Sequence, residues 1–180
     1  MVYRFLLLSD EADDFKREIQ ISSQATFFDF HKEILKATGY DANQMYSFFV
    51  CDDDWSKKTE ITLIEMDTSS EEDCFIMDNT VLEDMLVEEH QKLLYVFDLL
   101  NERVFFIELR EIITGKNLND PVCSKSVGKA PEQFIDFDIA ANDIISDLDE
   151  NFYGDDAYDD EDLDGLDETT FDESSLSEKF

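Results

Sequence analysis

The stretch VYRFLLLSDEADDFKREIQISSQATFFDFHKEILKATG, residues 2–39, decides the fold. Tyr3, Phe5 and Leu7 occupy alternate positions, the period of a strand that turns one face toward a core. Phe15 to Ile21 reads as a second strand, and the acidic Ala12-Asp13-Asp14 between them fits a turn. Thr26 stands three residues before Asp29, the spacing of a capping box, in which a hydroxyl and a carboxylate each satisfy one free amide at a helix start. Phe27, Phe30, Ile34 and Ala37 give that helix one apolar stripe. Gly39 ends it, because glycine adopts the left-handed conformation without a steric penalty.

Outward from this stretch, Met45 to Cys51 returns to strand, Asp52, Asp53 and Asp54 form a turn, and a fourth strand runs from about Thr59 to Met66. Strand, strand, helix, strand is the opening order of a β-grasp-like domain, with the first two strands as a hairpin and the helix across one sheet face. A second cycle follows. Thr80 and Glu83 offer another capping box before VLEDMLVEE, and Leu93–Leu99 and Val104–Ile112 read as strands around a turn at Leu100–Arg103. Residues 67–78 are polar and acidic, a surface loop. The expected class is α+β: a β-grasp-like mixed sheet with covering helices, elaborated by a second helix-strand-strand unit and followed by an acidic C-terminal tail.

The 180 residues carry 46 Asp or Glu against 14 Lys or Arg, a formal charge of -32. Half of it sits in residues 138–180, which hold 17 acids and one lysine. Phe137, Ala141, Ile144, Ile145, Leu148 and Phe152 recur at spacings of three or four, an amphipathic helix over 137–152 able to dock on the domain or a partner. Beyond Gly154, dense like charge with scattered single hydrophobes predicts disorder. The expected organisation is therefore a domain over 1–153, including that helix, and a disordered acidic tail over 154–180. Such a charge opposes direct nucleic-acid binding and docking on an anionic membrane. No apolar run approaches a membrane span, and the opening MVYRFLLL lacks a cleavage-like site. Cys51, Cys74 and Cys123 are odd in number and match no redox or zinc spacing, so they read as free thiols of the cytoplasm.

Chemistry-bearing patterns are sparse. His31 lies on the first helix beside its apolar stripe and reads as a hydrogen-bonded boundary residue. His90 follows the second helix, where a histidine favours the helix dipole. Asp52, Asp53 and Asp54 supply oxygen ligands suited to Mg²⁺ or Ca²⁺, although three consecutive side chains converge only in a tight turn. The structural alternative is an acidic hairpin connection with Trp55 packed over its edge. No GxSxG, GxGxxG or GxxxxGK sequence occurs. Asp160, Asp162, Asp164 and Gly165 reproduce the first half of an EF-hand loop, but Phe171 stands where the bidentate Glu belongs. Loose, non-specific binding of divalent cations is expected there, and no cofactor is expected. Phe152, Tyr153, Tyr158, Leu163, Leu166 and Phe171 are apolar points on an acidic thread, suited to a cationic groove with hydrophobic pockets. A solvated acidic terminus with no dedicated ligand explains the same composition.

YRFLLL, DDFKREIQI, FFDFHKEILKATGYD, MYSFFV, YVFDLLNERVFFIEL and PVCSKSVGKAPEQ, in this order over residues 2–136, resemble the plasmid-encoded open-reading-frame-three-like family. Some of its members are labelled insertion-element passenger or resolvase-like proteins. Phe97 and Asp98 fall on the family's Tyr-Asp pair, and Pro121, Cys123, Gly128, Pro131 and Glu132 fall on its closing stretch. The family's Gly-Asp-Asp-Trp-x-His continuation is replaced by Leu100 to Phe105, and histidines around its earlier aromatic strand by Gln44 and Tyr46. Asp98 thus stands without the partners a metal or catalytic role would need. The resemblance implies an α+β domain of β-grasp-like construction and no particular activity. The resulting expectation is a non-enzymatic cytoplasmic protein-interaction or binding domain whose partner is a basic protein. The alternatives are a metal-dependent enzyme built on Asp52, Asp53, Asp54 or Asp98, and an acidic nucleic-acid mimic. No pattern assigns an oligomeric state.

Overall fold

The computed structural model describes residues 1–65 and 75–134. β1 (Val2–Leu8) and β2 (Lys16–Ser22) precede α1 (Phe27–Thr38), β3 (Ser47–Cys51) and β4 (Lys57–Thr62). β5 (Phe75–Ile76), α2 (Leu82–Met85), β6 (Lys92–Asp98), β7 (Arg103–Ile113) and β8 (Val122–Val127) follow. They form one sheet in the order β5-β4-β3-β6-β7-β1-β2-β8. Every neighbouring pair is antiparallel except β4 and β5, so the sheet is mixed.

The alternation in β1 places it at the heart of the sheet. It pairs with β2 in the expected hairpin and with β7 on its other side. Tyr3, Phe5 and Leu7 point to the face that α1 covers, and all three are buried. The capping box forms: the Asp29 amide donates to Thr26 Oγ1 at 3.2 Å and the Thr26 amide to Asp29 Oδ2 at 3.3 Å. Gly39, at φ 79°, closes the helix with its amide on the Leu35 carbonyl at 2.8 Å. The α1 stripe then stacks into an aromatic layer. Phe30 lies 4.4 Å from Phe5 and 5.5 Å from Phe48, and Phe48 lies 4.8 Å from Tyr95, measured between ring centroids. Such pairs add about 0.5–1.5 kcal/mol each beyond their area burial.

The second cycle departs from expectation. α2 has only four residues, starts after Val81, and has no side-chain cap. Thr80 Oγ1 instead donates to the Ile76 carbonyl at 2.8 Å, and Glu83 accepts from Ser23 Oγ at 2.7 Å. Tertiary partners therefore take both capping groups. The expected loop over 67–78 contains β5, whose two residues add a parallel edge to β4. β4 itself ends at Thr62, short of Met66. β8 has no strong strand pattern and is nearly all surface. It is held by its pairing with β2 and by Arg17, whose Nη1 donates to the Val127 carbonyl at 2.5 Å and Nη2 to that of Gly128 at 3.1 Å. The 137–152 helix, the 154–180 tail and the EF-hand-like run lie outside the described residues. Among the described residues no helix is long and apolar enough to cross a membrane.

Candidate functional site

The Asp-rich connection is a tight turn. The Trp55 amide donates to the Asp52 carbonyl and the Asp52 amide to that of Ser56, both at 3.0 Å. Trp55 closes it at φ 70°, in the left-handed region. The carboxylates do not converge. Asp52 pairs with Lys58, whereas Asp54 Oδ1 accepts from the Ser56 amide at 3.1 Å. Hydrogen bonding from Ser56 holds the Asp54 carboxyl below its usual range. Trp55 lies edge-on to Phe106, centroids 5.0 Å apart, so the packed-tryptophan reading of this turn describes its geometry.

Across from the turn, residues 88–91 lead into β6. His90 adopts φ 71° and its Nδ1 lies 2.8 Å from Glu108 Oε1. It stands five residues beyond the end of α2, so the helix-dipole reading fails, because α2 stops at Met85. Gln91 Oε1 accepts from the amides of Val87 and Glu88, at 2.5 and 2.9 Å, and fixes this bend. Between turn and bend opens a recess of about 460 Å³ whose lining includes Asp52, Asp53, Lys58, Glu88, Glu89 and His90. It unites two of the predicted acids with one histidine, and neither Asp54 nor Asp98 joins them. Among the described residues no group of three or more His, Cys, Asp or Glu is placed to share a metal ion.

Asp98 sits at the end of β6 and organises the next turn. Its Oδ1 accepts from the amides of Leu100 and Asn101 at 3.1 and 3.2 Å, and its Oδ2 from Asn101 Nδ2 at 2.7 Å. Desolvation would raise its pKa, but these hydrogen bonds and Arg103 outweigh it and hold the carboxyl low. Arg103 clamps Glu11 through Nε at 2.8 Å and Nη2 at 2.6 Å, and donates to the carbonyls of Glu132 and Gln133 at 2.6 and 3.1 Å. Beside it, Tyr40 Oη donates to the Pro131 carbonyl at 2.7 Å. Gln133 Nε2 donates to Tyr46 Oη at 2.8 Å and to the Asp41 carbonyl at 3.1 Å. This strap over residues 131–133 was not legible in the sequence, since its partners come from two distant segments, Tyr40, Asp41 and Tyr46 between α1 and β3 and Arg103 at the start of β7. The Pro131-Glu132 pair on the closing stretch was its one signal.

His31 is deeper than a boundary position. It is 2% exposed, with Nδ1 2.7 Å from Tyr95 Oη. Burial, aided by Lys32, lowers its pKa to about 4, and burial pushes Tyr46 up to about 12. Cys51 and Cys123 are free thiols, both pushed up by burial. The candidate interaction residues Phe152, Tyr153, Tyr158, Leu163, Leu166 and Phe171 lie outside the described residues, as does Cys74.

Comparison with solved structures finds the fold in a Methanosarcina mazei Go1 protein of unknown function. That crystal structure is 19% identical, with a TM-score of 0.54 over 69% of this chain and 68% of the other. No curated protein matches the chain. The family described as plasmid pRiA4b ORF-3-like protein matches residues 3–173, further along the chain than the phrases over 2–136. By that match over nearly its whole length, the chain belongs to the plasmid pRiA4b ORF-3-like protein family.

Proposed function

We propose that the protein is a non-enzymatic interaction domain of the cytoplasm that receives a basic protein partner at the recess between the β3–β4 turn and residues 88–91. One observation carries this reading: Asp52, Asp53, Glu88 and Glu89 line one surface recess against a single lysine, which Asp52 already pairs. A lysine or arginine side chain entering there meets several carboxylates at the surface, where complementary charge steers the encounter and charge-assisted hydrogen bonds form. The other candidate acids, Asp54 and Asp98, are committed to turn geometry, a structural use that asks for no substrate. The acidic segment from residue 154, studded with apolar side chains, adds a second contact to the same partner in this reading. A β-grasp-like description suits the β1–β2 hairpin and α1, and free thiols at Cys51 and Cys123 suit a reducing compartment.

The test is the affinity of the full chain for a fluorescent Lys/Arg-rich peptide. Salt-sensitive binding that falls about tenfold in the E88K/E89K variant is expected. Affinity unmoved by that double charge reversal would overturn the recess as the contact. A metal-dependent enzyme is the second reading: His90 shares the lining of the recess with Asp52 and Asp53, but among the described residues no three such groups are placed to hold one ion. Calorimetric titration with Mg²⁺ or Mn²⁺ that saturates at one site, and is lost in His90→Ala, would put it first. The nucleic-acid mimic differs from the leading reading only in the partner, and competition by duplex DNA for the bound basic protein separates them.

A further inference from the structure

The bend at residues 88–91 walls the recess across from the Asp52–Lys58 pair, and His90 stands in it with its backbone fixed. Its amide donates to the Leu109 carbonyl at 2.7 Å, and the Leu109 amide donates to the Gln91 carbonyl at 3.0 Å, so pairing with β7 keeps His90 at φ 71°. The imidazole is tied from the same strand. Nδ1 lies 2.8 Å from Glu108 Oε1, and Arg110 Nη1 lies 3.4 Å from that same oxygen. The side chain remains 68% exposed, open to protons from solvent.

The charged groups that share the recess with His90 are Asp52, Asp53, Glu88 and Glu89 against Lys58. Glu108 and Arg110 flank the ring from β7, and Lys92 opens β6 two residues on. Aspartate, glutamate, lysine and arginine ordinarily keep their charge between pH 5.5 and 7.5, whereas an imidazole does not. The chain has two histidines. His31, packed against Tyr46 and Tyr95, is lowered to about 4 by burial, aided by Lys32, and stays neutral across that window. Between pH 5.5 and 7.5 the recess therefore holds one side chain that changes charge. A space of about 460 Å³ is roughly 10 Å across, close to one screening length at physiological salt, so a charge on its wall acts on whatever sits inside.

Resting on the reading of this recess as the seat of a basic partner, we propose that His90 makes it release that partner on acidification. With Nδ1 donating to Glu108, Nε2 is the nitrogen that takes the proton. The recess then passes from four carboxylates against one cation to four against two, while the lysines and arginines of the partner keep their charge. Neutralisation restores the first state. Linkage runs both ways: a cationic side chain seated in the recess opposes protonation of the ring.

The test is the affinity of the full chain for a fluorescent Lys/Arg-rich peptide, free of histidine and blocked at both ends, at pH 7.5 and 5.5 and one ionic strength. The unaltered chain should bind about threefold more weakly at pH 5.5, the size of one surface charge acting across solvent. His90→Asn, which tolerates a left-handed φ and takes no proton in this window, should bind equally at both pH values. His90→Lys should also ignore pH and bind more weakly than His90→Asn at both. Ring resonances followed by NMR, assigned through His90→Asn, should show His90 changing only at lower pH once the peptide is bound. An affinity of the unaltered chain that ignores pH overturns the proposal, as does a pH dependence that persists in His90→Asn. Failure of the recess itself reads differently: no saturable binding at pH 7.5, or binding indifferent to E88K/E89K, removes that reading and this inference with it.

Discussion

His31 shows how a residue read correctly in kind is placed by contacts no local pattern reveals. Its hydrogen bond was foreseen, but its burial depends on Tyr46, just before β3, and on Tyr95, which arrives from β6 far along the chain. The unfolded chain protonates this imidazole near pH 6.5, whereas the native chain resists until about 4. The native state therefore binds fewer protons in that window. Its contribution to stability is full above pH 6.5 and drains as pH falls toward 4, by roughly 3 kcal/mol. Urea unfolding across that range should show this loss, and His31→Phe should flatten it while leaving the Tyr95 hydroxyl unpaired, at a cost of about 1–3 kcal/mol. A slope that His31→Phe leaves untouched would assign it to other groups. Two glycines provide a second residue-scale test. A Cβ on Gly39 meets nothing within 4 Å, but one on Gly128 would lie 2.4 Å from the Asp14 carbonyl oxygen. Both have positive φ, so Gly39→Ala should cost about 1–2 kcal/mol, and Gly128→Ala measurably more on thermal unfolding. Equal costs would mean that the β8 end shifts freely.

At the scale of elements, legibility followed local sufficiency. α1 contains its own stripe, cap and stop, and the sequence predicts all three where the structure has them. Thr26→Ala should cost about 1 kcal/mol by denaturant melt. Phe30→Ala, which opens a cavity under the aromatic layer, should cost about 3–5 kcal/mol. The Thr80/Glu83 pair has the same spacing without the same fate, because Ile76 and Ser23 compete for its groups. β5 and β8 escaped notice for a related reason. Two residues beside an acidic loop, and six mostly exposed ones, have too little pattern, and only β4, β2 and Arg17 make them strands. The candidate sites divide in the same way. The Asp52–Asp54 turn was visible as local composition, whereas its opposite wall at residues 88–91 was not. Only the pairing of β3 with β6 brings the two together.

For the whole molecule, net charge was readable at once and its distribution was not. Composition alone opposes a generic grip on nucleic acid, yet it conceals that Asp52, Asp53, Glu88 and Glu89 gather around one recess. That gathering is a property of strand order, which places β6 beside β3. Family membership fixes the company of this chain and leaves its partner to be read from surfaces. The recess is proposed to receive a basic partner, and hydrogen exchange of the full chain with and without a Lys/Arg-rich peptide probes that contact. New protection is expected at residues 52–58 and 87–91, weakening as salt is raised. Protection absent from both segments, or confined to other parts of the chain, would contradict it.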